Sequence, residues 1–312
     1  MVRYDKSTAQ KGSKYVNDRR GSSGGRQRSG RRTAVGGAGG IGVVGIVLMI
    51  LLQTCGGGAT TTAGGGLSFE NAGFDESVGA VPVEGTDVLD PDADTIEFME
   101  FLMFDVQDTW DGYFDQAGLV YEFTTLEIFE GSVSTGCGNA TSAVGPFYCP
   151  APGDNNVYID LDFYDQLARD FGAPGDFAQA YVIAHEVGHH IQSITGISEE
   201  VRAIQAQQPD LRNEFSILQE LQADCFAGVW AFSASQRLTE DTGLPIIEEG
   251  DIEEGIAAAA SVGDDRIQAQ AGVSVNPETW THGSSEQRIR WFRIGFENGD
   301  PELCNPFAVD NP

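Results

Sequence analysis

Three of the four histidines in this 312-residue chain fall within residues 180–192, AYVIAHEVGHHIQ. His185, Glu186 and His189 have the spacing H-E-x-x-H. Residues four apart lie on one face of an α-helix, so His185 and His189 can each direct a ring nitrogen at one metal ion. A catalytic zinc site has three protein ligands and an open position, and neutral imidazole is a common ligand. Glu186 stands beside the first ligand, where a carboxylate can activate water, so the pattern predicts zinc-assisted hydrolysis.

His190 does not fit this ligand pair. It lies about 100° around the helix from His189, because an α-helix has 3.6 residues per turn. We therefore interpret His190 as a residue that supports the site or packs in the core.

A second helical segment, residues 220–231, offers carboxylates to the same site. Glu220 and Asp224 are four apart in ELQADCFAGVWA and lie among apolar residues. Glu220 can be the third ligand, and Asp224 can accept a hydrogen bond from the ring N–H of a ligating histidine and so fix its tautomer. The alternative is a solvated helix face with two acids. Unpaired carboxylates are rarely buried, and the apolar neighbours therefore favour the metal site.

The elements that carry these residues follow from hydrophobic periodicity. Spacing of apolar residues predicts helices over 93–117, 163–171, 176–194, 199–235 with a break at Pro209, 250–270 and 284–297. Alternation predicts strands over 119–130 and 156–163. Helices therefore dominate a small β-sheet, which predicts an α+β fold with one core between residues 93 and 312.

The chain before residue 93 has a different composition. Residues 1–33 are rich in Gly and Ser and contain ten of the 18 lysines and arginines, so we expect a disordered basic tail in the cytoplasm. Residues 34–54 carry no charge and are long enough to cross a bilayer, so we expect a retained transmembrane helix. A cleaved signal peptide or a buried core helix are the alternatives. Residues 55–92 are rich in Gly, Thr and acids and predict a flexible stalk.

The part of the chain after the predicted span is strongly acidic. Only Asp5 and Asp18 of the 47 acidic residues precede residue 34, which leaves 45 acidic residues against eight arginines. Such a charge repels nucleic acid and excludes it as a partner. Attraction of cationic substrates is one explanation of the acidity, and solubility in a harsh external medium is the one we favour.

Five cysteines are typical of an oxidising compartment. Cys137 and Cys149 bracket a Gly- and Pro-containing loop and could form a local disulfide. Cys225 and Cys304 could form a second disulfide that ties a helix to the C-terminal segment. Four cysteines allow three connectivities, so these pairings are hypotheses, and Cys55 is left over.

From about Leu119 to Phe307 the chain resembles the bacterial family of neutral zinc metallopeptidases with one N-terminal membrane span, which have a gluzincin-like arrangement of HExxH and ExxAD motifs. The segments that carry the resemblance are CGNATSAVGPFYCP, VYIDLDFY, AHEVGHHIQ, ELQADCFAGVWA and THGSSEQRIRWFRIGF. The resemblance implies one Zn²⁺ per chain, peptide-bond hydrolysis, and a small sheet whose edge strand pairs with the backbone of a peptide or protein substrate.

In gluzincins a later His, Tyr or Arg reaches the tetrahedral intermediate. His282 and Arg288 resemble that element, so the resemblance implies a catalytic role for His282 and a substrate or oxyanion contact for Arg288. The alternative for His282 is a loop residue before a helix that Ser284 or Ser285 caps.

We thus expect a zinc endopeptidase of the bacterial cytoplasmic membrane, with a single span, the N-terminus in the cytoplasm and an extracytoplasmic catalytic domain. Glu186 would be the general base. One alternative is a zinc-bearing but non-catalytic binding protein, a pseudo-peptidase, at the cell surface. Another is an acidic structural protein in which the histidines only pack.

Overall fold

The computed structural model describes residues 1–21, 90–170, 172–173, 175–309 and 312. Its helices are α1 (Lys6–Gly12), α2 (Ala93–Gln116), α3 (Asp162–Arg169), α4 (Asp176–Ile194), α5 (Ile197–Gln207), α6 (Arg212–Ser235), α7 (Glu249–Ser261), α8 (Asp264–Gln270) and α9 (Ser285–Asn298). Its strands are β1 (Val16–Asp18), β2 (Leu126–Phe129), β3 (Ser132–Thr135), β4 (Gly138–Thr141), β5 (Phe147–Cys149) and β6 (Asn156–Asp160). Helices dominate a small sheet, as the α+β prediction requires.

Four strands form the main sheet in the order β1-β2-β6-β5. The first three are parallel, and β5 runs antiparallel to β6 at one edge. Leu126 and Ile128 of β2 pair with Val157 and Ile159 of β6, and all four side chains enter the main core. The opposite face of the sheet packs with the β3–β4 hairpin in a smaller cluster that includes Phe129 and Tyr158.

Helix α4 lies at the centre of the fold, against α6 and α7 on one side and strands β5 and β6 on another. Helix α9 packs along α6 at very short range. A Cβ on Gly228 would lie 2.1 Å from the Phe292 carbonyl oxygen, and one on Gly295 would lie 2.0 Å from that of Cys225. Glycine at both positions therefore permits the contact that brings α9 to the polar residues of α4 and α6.

Most predicted helices are present within a residue or two of their expected ends. The predicted helix over 250–270 is instead two helices, because Gly263 is extended and the Asp264 amide donates to the Gly283 carbonyl. The predicted strand over 119–130 is paired only from Leu126. Before that point, side chains satisfy the backbone: Gln107 accepts the Thr124 amide hydrogen at 2.7 Å, and the ring of His190 donates to the Glu122 carbonyl.

The prediction that residues 1–33 form a disordered tail is wrong for residues 1–21, which we call the N-terminal strap. The strap contains α1 and β1, packs on α2 and adds a strand to the sheet beside β2. The prediction used only the local composition. The strap is ordered by contacts with parts of the chain that are distant in sequence, and local composition does not report these contacts. Residues 22–89, with the expected span at 34–54 and most of the expected stalk, lie outside the described residues. Among the helices that are described, none has the length and apolarity to cross a membrane.

Candidate metal centre

Helix α4 is buried along most of its length, and its polar residues are therefore exceptions to be explained. The side chains of His185 and Glu186 are 3% and 4% exposed. Gly188 faces α6, where a Cβ would lie 3.1 Å from the Cα and carbonyl oxygen of Ala223. This close approach of α4 and α6 brings the histidines of one helix to the carboxylates of the other.

Three side chains from the two helices converge as the sequence predicts. The Nε2 atom of His185 lies 3.2 Å from Oε2 of Glu220, and the Nε2 atom of His189 lies 3.5 Å from Oε1. One ligand atom from each residue lies within 4.8 Å of the other two. Ligand atoms around tetrahedral zinc are roughly 3.3–3.5 Å apart, given bonds of about 2.0–2.1 Å. The group is therefore a candidate zinc site.

Two buried atoms in this group have no hydrogen-bond partner among the described residues: Nε2 of His185 and Oε2 of Glu220. They are close, but their geometry is not that of a hydrogen bond, and an unsatisfied buried polar atom costs about 1–3 kcal/mol. Burial alone would lower the pKa of His185, but the carboxylates of Asp224 and Glu220 raise it to about 9. The pocket thus favours positive charge at this place, and the donor set fits Zn²⁺.

The remaining ring nitrogens of the two ligands are held by oxygen acceptors. Nδ1 of His185 lies 2.9 Å from Oδ1 of Asp224, and Nδ1 of His189 lies 2.9 Å from Oε1 of Gln192. With each Nδ1–H donating to its oxygen acceptor, Nε2 is the nitrogen of each ring that would bind a metal ion. The sequence predicted this role for Asp224. It did not single out Gln192, although its position three residues after His189 on the same helix face is a usable signal.

Asp224 is itself fixed from the other side. Arg288 donates to it through two nitrogens, with Nε 2.7 Å from Oδ2 and Nη2 2.8 Å from Oδ1, and the Tyr181 hydroxyl also donates to Oδ1. Burial opposes ionisation of Asp224, but the charge of Arg288 outweighs it and lowers the pKa of this carboxyl. The carboxylate is therefore an anionic acceptor for His185.

The structure gives Arg288 a role that the resemblance did not imply. Its side chain is 1% exposed, and its donors also reach the Tyr181 hydroxyl at 3.1 Å and the Val262 carbonyl at 3.2 Å. A guanidinium held in this way orients Asp224, and it also lines the small cavity beside His185 and Glu186. The substrate or oxyanion contact that the resemblance implied for Arg288 stays a prediction.

Glu186 lies next to His185 on α4, in a different setting from the ligands. Burial raises the pKa of its carboxyl. With His185 it lines a small cavity whose wall is otherwise largely apolar, including Phe163, Leu167 and Val182. A carboxyl in such surroundings binds a proton more readily than one in water, which suits a general base.

His282 is buried before α9, and one carboxylate holds both its backbone and its ring. Oδ2 of Asp264 accepts the amide hydrogens of Thr281, His282 and Gly283 at 2.8, 2.7 and 3.1 Å, while Oδ1 lies 3.1 Å from Nδ1 of His282. Burial would raise the pKa of Glu220, but the charges and hydrogen bonds around it, chiefly those of His189 and in smaller part the charge of His282, lower it. No spacing or motif in the chain pointed to Asp264.

His190 has the supporting role that its helix position indicated. Its Nε2–H donates to the Glu122 carbonyl at 2.5 Å, and Nδ1 lies 3.2 Å from the Tyr148 hydroxyl on strand β5. Burial lowers the pKa of His190 to about 4, so the ring is neutral near pH 7. The side chain joins α4 to the edge strand of the sheet.

Both hypothesised disulfides are confirmed. Cys137 is bonded to Cys149, and Cys225 is bonded to Cys304. The second bond joins the residue after Asp224 to the C-terminal segment, and Gln222 adds a hydrogen bond to the Cys304 carbonyl at 2.7 Å. This part of α6 is therefore clamped to the C-terminal segment.

Comparison with known proteins agrees with this geometry. A family model described as "Putative neutral zinc metallopeptidase" matches residues 6–307. The protein YpfJ of Escherichia coli K12, described as uncharacterized, is 46% identical over 228 residues, which cover 72% of this chain and 76% of the relative. The protein Rv2575 of Mycobacterium tuberculosis H37Rv, also described as uncharacterized, is 49% identical over 188 residues, or 59% of this chain and 62% of the relative. No solved structure matches the chain.

Proposed function

The chain belongs to this neutral zinc metallopeptidase family, and from that premise we propose that it is a zinc-dependent endopeptidase with Glu186 as general base. One observation carries the proposal: His185, His189 and Glu220 converge with their ligand atoms within 4.8 Å of one another. Metal binding alone would not require an acid beside the first ligand, whereas hydrolysis does. Glu186 is therefore the residue that distinguishes an enzyme from a zinc-bearing binding protein.

His185, His189 and Glu220 would hold the ion. Zn²⁺ bound there supplies a Lewis acid for the peptide carbonyl and makes water more acidic. Glu186 then accepts a proton from water and passes it to the leaving amine, as base and then as acid. Asp224 and Gln192 keep the two imidazoles in the tautomer that ligation needs.

His282 is the best candidate for stabilising negative charge on the carbonyl oxygen. Asp264 holds the Nδ1 atom, which leaves Nε2 as the ring nitrogen that a substrate could contact. A donor outside the ligand set is what an oxyanion requires. Strand β5 forms the edge of the main sheet next to α4, and an extended peptide can add to such an edge through its backbone.

The location of this activity is also part of the proposal. Two disulfides support a site of action outside the cytoplasm, since thiols stay reduced inside. The proposal of attachment to a membrane rests on the charge-free residues 34–54 alone. The docked N-terminal strap limits the membrane topologies that are open to these residues.

The test compares Glu186→Gln with Glu199→Gln in the full chain, because Glu199 is an exposed glutamate on the neighbouring helix α5. Zinc content is measured by elemental mass spectrometry, and cleavage is measured on a peptide library. We expect both variants to keep one zinc, and Glu186→Gln alone to lose about 10²–10⁴-fold in turnover.

Full turnover by Glu186→Gln, or hydrolysis by zinc-free protein after chelation, would overturn the mechanism. Zinc-loaded wild-type protein that binds library peptides and cleaves none would favour the pseudo-peptidase alternative. Absence of stoichiometric zinc would favour histidines that only pack.

A further inference from the structure

The N-terminal strap completes the main sheet. Strand β1 pairs in parallel with β2, with Val16 opposite Leu126 and Asp18 opposite Ile128, and the next amide, that of Arg19, donates to the Ile128 carbonyl at 2.9 Å. Without the strap, β2 would present an unpaired edge. The backbone of the strap is thus part of the fold that carries the metal site.

Apolar and steric contacts hold the strap on α2. Val2 and Ala9 are buried, and the Tyr4 ring stacks on Phe101 with ring centroids 5.1 Å apart. Gly12 lies so close to α2 that a Cβ there would stand 1.7 Å from the Glu100 carbonyl oxygen. This fit is that of a packed interior and not of a loosely associated tail.

Charge complementarity follows the whole length of the strap. Its basic side chains face acidic ones of the domain: Arg3 pairs with Glu248 at 2.6 Å, Lys6 with Glu97 at 3.1 Å, Lys11 with Glu240 at 3.9 Å, Arg19 with Glu127 at 3.5 Å and Arg20 with Asp90 at 2.6 Å. Each exposed pair adds little stability, but together they specify where a basic segment binds on an acidic domain.

The strap also contacts the start of the metal-binding helix. The Val2 amide donates to Oδ2 of Asp176, the first residue of α4, at 2.8 Å. The Arg3 amide donates to the Ile246 carbonyl at 2.8 Å, just before α7. The strap therefore links the ends of the two helices that lie beside the candidate active site.

The two chain ends that border residues 22–89 meet on one face of the domain. Nη2 of Arg20 lies 2.6 Å from Oδ2 of Asp90, and Nη1 of the same side chain contacts Asp92. A segment that crosses a bilayer once leaves its ends on opposite sides of a hydrocarbon core about 30 Å thick. Residues 34–54 are enough for one crossing, whereas two crossings need roughly 40 apolar residues. Docking of the strap and a single crossing thus exclude each other.

We infer that the strap is docked in the folded protein in the cell, so that the N-terminus and the metal centre lie on the same side of the membrane. Residues 34–54 then do not serve as a single-crossing anchor of the folded domain. The family match begins at residue 6 and so includes most of the strap, which supports its place in the domain. The inference is independent of the proposed peptidase activity.

The first test asks whether the strap is docked in intact cells. The full chain carries Cys55→Ser, to remove the fifth cysteine, with Asn17→Cys and Glu127→Cys, whose native residues are register partners on β1 and β2. A protease site inserted between residues 56 and 66 allows the chain to be cut after oxidation and lysis. We expect most fragments to stay joined without reductant and to separate with it. Asn17→Cys alone is the control.

Gly12 provides the variant that expels the strap. Gly12→Leu, added to the cysteine pair, should reduce the joined fraction about tenfold relative to Gln10→Leu, because Gln10 is exposed on the same helix and Gly12 has no room for a side chain. Equal joined fractions in these two variants would contradict docking at this surface. If Gly12→Leu does not fold, the joined fraction measured with the cysteine pair and an unchanged Gly12 decides whether the strap is docked.

The second test asks on which side of the membrane the two parts lie. Lys14→Cys on the strap and Glu278→Cys on the domain are both at exposed positions and are made separately in the Cys55→Ser chain. A membrane-impermeant maleimide is applied to intact cells and then to lysed cells. We expect both sites to label, or both to be protected, before lysis. Labelling of position 278 with protection of position 14 would overturn the inference and restore the single-span arrangement.

Discussion

Charged residues serve two opposite purposes in this protein, at Asp224 and along the N-terminal strap. Asp224, Arg288 and Tyr181 are at most 2% exposed, and each is hydrogen-bonded to another member of the group. The Lys6 side chain of the strap is 82% exposed and meets a single carboxylate. Burial is the physical difference, since water screens the second kind of contact and is excluded from the first.

The difference determines what each region can do. A buried ion pair gains little over apolar packing, but losing one partner leaves an uncompensated charge in the core. Such a group fixes geometry, here the orientation of the candidate ligand His185. Exposed ion pairs are individually weak and can be replaced by water and salt, so they favour a docking position without locking it.

The largest effect should come from breaking the buried group. Arg288→Met removes the guanidinium partner of the buried Asp224 and should lower the free energy of unfolding by about 3–5 kcal/mol. Arg293→Met is the matched control, because Arg293 is exposed on the same helix, α9, and should change stability by less than about 0.5 kcal/mol. Urea unfolding monitored by circular dichroism measures both. Similar stability of the two variants would contradict the view that burial makes the charged group at Asp224 more important for stability than exposed charges.

A smaller effect should come from His190, which is buried and neutral. Its folded pKa of about 4 lies below the usual 6.5, so the unfolded chain binds the extra proton between these values. The stability is fully present above pH 6.5 and is lost as the pH falls to 4, by about 3 kcal/mol in total. The check is urea unfolding at several pH values. His190→Gln should have a shallower loss over this range, and an unchanged slope in that variant would contradict the assignment.

The smallest effect should come from the exposed pairs of the strap. Lys6→Gln should cost about 0.2–1 kcal/mol in low salt, because it removes one surface ion pair. At 1 M salt, where the Debye length is about 3 Å, the difference from wild type should disappear. Unfolding at the two salt concentrations measures this. A cost that persists at 1 M would show that Lys6 acts through packing, and the cost of Arg288→Met should not depend on salt.

Local patterns predicted the core of the site. The spacing of His185 and His189 and that of Glu220 and Asp224 follow from the turn of a helix, and the apolar residues around both pairs indicated burial. Gln192 could have been found by the same reasoning. Asp264 could not, because it meets His282 through a loop, and the chain gives no spacing that relates the two.

The strap shows the limit of composition as a guide. Glycine, serine and ten basic residues in residues 1–33 indicate a segment with too little apolar surface to fold alone. Its order comes from surfaces of α2, β2 and the loop before α7. A segment that cannot form a hydrophobic core alone can still pack against the core that the rest of the chain forms.

The sequence by itself determined which residues on two helices form the candidate metal centre and which acid stands beside them, because these properties depend on neighbours within one or two helical turns. Only the tertiary structure decided that Arg288 serves Asp224, that Asp264 holds His282 and that the N-terminus belongs to the domain. Those contacts join residues that are far apart in sequence. They depend on how apolar surfaces fit together. The hydrophobic effect that drives this packing is non-directional, so the sequence pattern alone does not specify which distant residues meet.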